Sequence, residues 1–231
     1  MANDQGPAGV TVTPPDWSAI DTVFLDMDGT LLDLHFDNQV WNHEVPRAYV
    51  DAQGLGYDMA REQLLEHMRE IHGTIEFYSF EYWNAYTGLD LTDLHVKHAT
   101  LVSYRPGALD FLRWLRLQDD KTTIIATNAH RHSIAVKDAQ LNVSAEVTGV
   151  VSSHDFQAPK ESLEYWQAMQ QVHPFDPARA IFIDDNEPVL DHARAVGIQH
   201  LWTVSTPDSK RPQKAPLSYP CFSSFDELRP A

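Results

Sequence analysis

Basic residues are scarce in this chain: 17 Lys and Arg stand against 33 Asp and Glu, a formal net charge of −16 over 231 residues. Nucleic-acid polymers and anionic membranes are bound through clustered Lys and Arg, so neither is an expected partner. A small phosphate ester is not excluded, but it would meet an unfavourable field, and its site must be made attractive locally by a metal ion and a few placed donors. Cysteine is nearly absent. The single one, Cys221, cannot close an intramolecular disulfide and has no visible role as ligand or nucleophile, which fits a reducing, cytoplasmic setting. Long apolar runs are missing as well. No stretch approaches the length of a membrane span, and Met1 to Pro15 is polar and Pro/Gly-rich without a signal-peptide core.

What is present is ordinary in bulk: 43% hydrophobic and 22% charged residues, in a chain long enough for one α/β domain with an insertion or two small domains. Four short β-rich runs, at 22–25, 122–126, 147–151 and 180–183, are followed by a fifth at 198–204. Each is almost wholly apolar, as strands are when helices cover both faces of a parallel sheet. Helical patterns lie between them. Ala108, Leu109, Leu112 and Leu115 recur at helical spacing after Pro106, and Pro188 stands where a first turn begins in the segment to Ala195. The alternation predicts an α/β fold with a Rossmann-like, doubly wound parallel sheet.

The first two strands are separated by roughly 70 residues more than a crossover needs, and that surplus is helical in pattern, with Leu64, Leu65, Met68 and Ile71 on one face. The expected organisation is a leader over 1–16, an α/β core over 17–33 and 104–231, and an inserted α-helical cap over 34–103. In open α/β sheets ligands bind beyond the carboxyl ends of the strands, so this cap would sit over the site. The stretch 206–220, with four prolines, reads as an extended segment on the surface with no part in the site.

The strongest chemical signal is Asp26-Met27-Asp28-Gly29-Thr30-Leu31-Leu32-Asp33, directly after Val23-Phe24-Leu25. Two acids two residues apart at the end of a buried strand are costly unless a cation neutralises them, and magnesium favours such oxygen ligands. Later strand ends add complementary groups. Ile124-Ile125-Ala126 ends in Thr127-Asn128-Ala129, offering a hydroxyl and backbone N–H groups to a phosphoryl oxygen. Lys160 opens another helix as a cation, and Ile181-Phe182-Ile183 ends in a second acidic pair, Asp184-Asp185.

In this order the four motifs resemble those of the haloacid dehalogenase superfamily in its phosphatase form. The resemblance implies that Asp26 attacks phosphorus and carries the phosphoryl group, while Asp28 protonates the leaving oxygen and then activates water. It implies that Thr127 and Lys160 orient and neutralise the phosphoryl oxygens. Magnesium would be held by Asp26, the carbonyl of Asp28 and Asp184, with Asp185 in support. The acid at Asp28 favours phosphate-ester hydrolysis, since a dehalogenase has no alkoxide to protonate and the related ATPases carry Thr there. A helical cap between the first and second motifs goes with small substrates. Closer still, residues 28–34, Phe36-Asp37-Asn38, Thr127-Asn128-Ala129-His130 and Phe182-Ile183-Asp184-Asp185 are similar to bacterial 5′-nucleotidases acting on the purine mononucleotides GMP and IMP.

Some residues carry two readings. Phe77, Tyr78, Phe80, Tyr82, Trp83 and Tyr86 are foremost the cap's own core, with base stacking as the sharper alternative. Trp41, with His35, Asp37 and Asn38, follows the first motif directly and is better placed to reach the leaving group, with packing as the alternative, while Asn128 belongs with Thr127 among the phosphate-binding residues. His130 and His132 could reach its sugar or phosphate, and they are not read as a zinc site. Two other functions share the chemistry: a sugar-phosphate phosphatase or phosphomutase of the same superfamily, and a non-catalytic phospho-accepting regulatory module. Nothing in the sequence speaks to oligomeric state.

Overall fold

Thr22, Val23, Phe24 and Leu25 are all buried, and they form the central strand of the protein. The computed structural model describes residues 13–214 and 217–230, so of the leader expected over 1–16 only 13–16 fall within the described residues. Six strands form one parallel sheet: β1 (Thr22–Leu25), β2 (Thr122–Thr127), β3 (Gly149–Ser152), β4 (Ala180–Ile183), β5 (His200–Val204) and β6 (Cys221–Phe222). Their order is β3-β2-β1-β4-β5-β6. The chain therefore runs outward from β1 in one direction and, from β4 onward, in the other. That reversal opens a crevice beyond the carboxyl ends of β1 and β4.

Between β1 and β2 come α1 (His35–Gln39), a π-helical turn at Val40–Glu44, α2 (Val45–Gln53), α3 (Tyr57–Glu70), α4 (Ile75–Tyr78), α5 (Phe80–Thr87) and α6 (Leu91–His98). On α3 the side chains of Ala60 and Leu64 are buried, with Met68 and Ile71 packed against the same core. The remaining helices are α7 (Ala108–Arg116), α8 (Arg131–Leu141), α9 (Ser153–Phe156), α10 (Leu163–Val172) and α11 (Glu187–Ala195).

The period-2 alternation of strand side chains divides the core in two. Val23, Leu25, Ile125 and Ile181 pack with Phe111, Leu112 and Leu115 of α7 and with Phe36, Leu64 and Trp83 from the inserted helices. Phe24, Ile124 and Phe182 face the other way, against Tyr165, Trp166 and Met169 of α10 and Leu190 of α11. Each such side chain contributes about 1.5–3 kcal/mol by leaving water, so every strand is held from both faces. Among the described residues no helix is long and apolar enough to cross a membrane.

Three expectations need correction. The third strand begins at Gly149 rather than 147. The fifth strand begins at His200 rather than 198, because Ile198 instead closes α11, its N–H donating to the Ala193 carbonyl beyond Gly197 at φ +101. The proline-rich segment is not remote from the site. The Pro207 carbonyl accepts from Leu34 N–H, Ser209 N–H donates to Asp33, and Asp208, 3% exposed, accepts from the Asn38 amide at 2.8 Å. Farther on, Lys214 Nζ donates to the Asp185 carboxylate at 2.9 Å and to its carbonyl at 2.8 Å, and the chain then adds β6 to the sheet edge. The segment thus clasps the end of the first motif through the Ser209 N–H and the residue after it through the Pro207 carbonyl, since a proline cannot donate but still accepts.

Directly after β1 the chain turns at Gly29 with φ +89, and a Cβ there would lie 2.8 Å from the Asp185 carboxyl carbon. The turn thus needs glycine for its backbone and for the close approach of Asp185. Gly29→Ala is expected to cost at least about 1–2 kcal/mol from the left-handed backbone alone. Thermal unfolding would read this as a melting point lower by at least about 2 °C.

Candidate active site

In-register pairing of β1 with β4 matches Leu25 to Ile183, so the next residues, Asp26 and Asp184, emerge side by side. They are 5% and 1% exposed. Lys160 closes the gap: its ammonium, itself buried, donates to Asp26 Oδ1 at 2.5 Å, Asp184 Oδ2 at 2.7 Å and the Ala126 carbonyl at 3.1 Å. Burial opposes charge on this lysine, but Asp184 and Asp26 outweigh it and hold the ammonium well above the ordinary lysine range. Burial also pushes the Asp26 carboxyl up to about 6, against the pull of Lys160 and with the charges of Asp185 and Asp28 adding to the rise.

Lys160 is aimed by the end of β2. Asn128 accepts the Lys160 backbone N–H at 2.9 Å through Oδ1 and donates to Glu161 at 2.8 Å through Nδ2. Thr127, the last residue of β2 and 1% exposed, accepts the Ala129 N–H on its hydroxyl, which tightens the turn leading towards α8. A hydroxyl, turning backbone amides and an ammonium therefore converge beside Asp26.

Oxygen atoms of Asp26, Asp184 and Asp185 lie within 4.8 Å of one another. An all-carboxylate donor set of this kind suits a hard divalent cation such as magnesium. The Asp184 carboxylate is further fixed by the Asn186 N–H, and the Asp185 N–H donates to the Thr30 hydroxyl. The carboxylate of Asp28 points elsewhere.

Its partner is a residue that motif reading passed over. Lys137 of α8 is 1% exposed, and its Nζ lies 2.7 Å from Asp28 Oδ2 and 2.7 Å from Asp37 Oδ1. Burial first, then the neighbouring charge of Asp37, raises the Asp28 carboxyl to about 6 against the pull of Lys137. In the fold Ser133 lines the cavity, and Lys137, four residues on, lies on the same side of the helix that follows the second motif.

A cavity of about 390 Å³ unites these groups. Asp26, Asp28, Thr127, Asn128, Lys160, Asp184 and Asp185 line it from the sheet, and Asp37, Asn38 and Trp41 from the first inserted helix and the π-turn. Of the residues singled out from the sequence, the ten assigned to catalysis, phosphate binding or the metal all line this cavity. The π-turn adds a residue per turn and brings Trp41 and Asn42 to the cavity, whereas His35 stands outside it, 3.6 Å from Asp208.

The aromatic cluster divides. Phe77, Tyr78, Phe80 and Trp83 line the cavity, Phe80 and Trp83 being also buried in the core. Tyr82 and Tyr86 instead stack on His67, with ring centroids at 5.7 and 4.0 Å. Three polar bridges hold the helices down on the sheet side: Tyr78 to Glu161 at 2.8 Å, Lys137 to Asp37, and His130 Nε2 to Glu81 at 2.6 Å. His130 lines the cavity and stacks on Phe80; His132 bonds Thr92 at the seam instead. Glu81, His130 and His132 are close enough to share an ion. However, His130 Nδ1 accepts the His132 N–H, so its proton sits on Nε2 and is donated to Glu81, which leaves no lone pair for a metal.

Comparison with known proteins agrees with this geometry. A family model described as haloacid dehalogenase-like hydrolase matches residues 20–197. The GMP/IMP nucleotidase YrfG of Escherichia coli (strain K12) is 34% identical over 215 residues, covering 93% of this chain and 96% of the relative. Among solved structures, a HAD phosphatase from Thermococcus onnurineus superposes with TM-score 0.75 at 18% identity, over 91% of this chain and 96% of that one. L-2-haloacid dehalogenase from Xanthobacter autotrophicus superposes with TM-score 0.56 at 20% identity, over 80% and 78% of the two chains. With its motifs at one sheet edge and the family model spanning most of its length, this chain belongs to the haloacid dehalogenase-like hydrolases.

Proposed function

We propose that this hydrolase is a magnesium-dependent phosphomonoesterase that transfers a phosphoryl group to Asp26 and then to water, with purine 5′-mononucleotides such as GMP and IMP as substrates. The observation that carries the reading is the division of labour between two neighbouring acids, Asp26 held by Lys160 and Asp28 held by Lys137. Acids two residues apart are thereby given separate cations and separate tasks.

Asp26, ionised at neutral pH, supplies the oxygen that bonds to phosphorus as the ester P–O bond breaks. The electron pair leaves with the ester oxygen, which takes a proton from Asp28. Water then attacks the aspartyl phosphate, giving its proton back to Asp28 and releasing phosphate. A carboxyl poised near 6 can hold a proton for the first step and accept one in the second. Lys160 and the Thr127 hydroxyl neutralise and align the phosphoryl oxygens, which a loose transition state chiefly requires. Asp26, Asp184 and Asp185, with the Asp28 carbonyl, would hold the magnesium ion, whose charge screens the repulsion between carboxylate and phosphate.

Support for a purine mononucleotide comes from the GMP/IMP nucleotidase relative at 34% identity and from the cavity walls, where Trp41, Phe77 and Phe80 offer faces and edges to a planar base. A cytoplasmic setting accompanies this reading, in keeping with a lone cysteine.

The deciding experiment is phosphate release from GMP, IMP and several hexose phosphates with magnesium present. GMP and IMP are expected to lead in kcat/KM; preference for a hexose phosphate would replace the purine reading with a sugar-phosphate one. Asp26→Asn is expected to lower kcat by more than about a thousandfold while leaving a cooperative melting transition. Retention of magnesium-dependent turnover in that variant would remove Asp26 from its role. For Asp184→Asn, the magnesium concentration giving half-maximal activity is expected to rise at least about tenfold, and an unchanged magnesium titration would exclude Asp184 as a ligand.

A further inference from the structure

Phosphoryl transfer uses Asp28 but has no task for Asp37, which comes from the first inserted helix and nonetheless lines the same cavity. Its Oδ1 is held by the buried Lys137 ammonium, and the Phe36 ring covers that nitrogen at 5.4 Å. Its Oδ2 is buried and has no hydrogen-bond partner, and neither has Asp28 Oδ1. Buried carboxylate oxygens are ordinarily bonded, and one on a side chain that lines a cavity can take a donor from water or from a ligand once the side chain turns towards it.

Position identifies that donor. Lys137 Nζ is 2.7 Å from both carboxylates, so Asp37 stands next to the acid that meets the ester oxygen. The ligand atoms within its reach are those a few bonds beyond that oxygen. In a nucleotide or sugar phosphate these carry hydroxyl groups, whereas a base lies more bonds away from the ester oxygen. A hydroxyl donates without adding charge, which suits a carboxylate that Lys137 already balances.

We infer that Asp37, fixed by Lys137, is a subsite for a sugar hydroxyl of the leaving group, so that the enzyme distinguishes ribose from deoxyribose esters. The inference rests on the phosphomonoesterase reading and names part of its substrate. Asp37 acts as a binding residue, and Lys137 as the positioning residue that holds it beside Asp28.

The test measures kcat and KM with magnesium for GMP, its 2′-deoxy and 3′-deoxy analogues, ribose 5-phosphate, 2-deoxyribose 5-phosphate and p-nitrophenyl phosphate, in the wild type and in the near-isosteric Asp37→Asn. The wild type is expected to favour GMP over at least one deoxy analogue by roughly ten- to hundredfold in kcat/KM. Asp37→Asn should bring GMP down to the level of that analogue in the same variant, chiefly through KM, so that the preference for GMP over the analogue is lost whatever change through Asp28 all substrates share. Equal kcat/KM for GMP and both analogues in the wild type overturns the inference without need of any variant. So does a uniform loss on every substrate in Asp37→Asn, which is what a purely structural tie between helix and sheet would produce. Should ribose 5-phosphate be hydrolysed and GMP not, the purine reading fails, and the two pentose phosphates carry the same comparison with the same outcomes. If neither a nucleotide nor a pentose phosphate is turned over while p-nitrophenyl phosphate is, both fall.

Discussion

Two acids at the ends of adjacent, fully covered strands cannot be buried unless something cancels their charge, and the Lys160 ammonium does so for Asp26 and Asp184 together. Isolated, each carboxylate would cost several kcal/mol to desolvate. Shared between them, one cation makes the arrangement tolerable and at the same time fixes where the nucleophile points. The same solution recurs one layer outward, where Lys137 joins Asp28 to Asp37, and again at the rim, where Lys214 meets Asp185. Five carboxylates thus face three ammonium groups, and the surplus is the charge that a divalent cation brings.

This charge pattern also reconciles an acidic protein with an anionic substrate. A net charge of −16 repels phosphate at long range. Inside the cavity, a divalent cation held by Asp26, Asp184 and Asp185 would join Lys160 in offering positive charge, so that attraction would be short-ranged and confined to one geometry. The polar bridges from Tyr78, Asp37 and Glu81 to the sheet side hold the inserted helices over that geometry.

The parts that sequence made legible share a physical cause. Buried parallel strands must be apolar throughout, so 22–25, 122–126 and 180–183 announce themselves, and the polar residues directly after them are conspicuous by contrast. The third and fifth strands were located less well at their N-terminal ends, where turn geometry rather than apolarity decides the start. Lys137 and the segment from Pro207 to Lys214 stayed hidden for the opposite reason. A lysine on a helix and a proline-rich stretch ordinarily mean solvent, and only long-range contacts turn the first into a buried ion-pair partner and the second into a clasp on the first motif.

By itself, the order of residues determined the parallel α/β sheet and set apart the acidic pair after β1, Thr127 at the end of β2 and the acidic pair after β4, because strands covered on both faces must be apolar throughout and the polar residues that follow them stand out. Tertiary structure alone decided which cation serves which acid, how the aromatic side chains divide between wall and core, and that Asp37 stands beside Asp28. Those outcomes depend on helices meeting across 100 residues of chain, as Lys137 meets Asp37, and no local pattern encodes a distance of that kind.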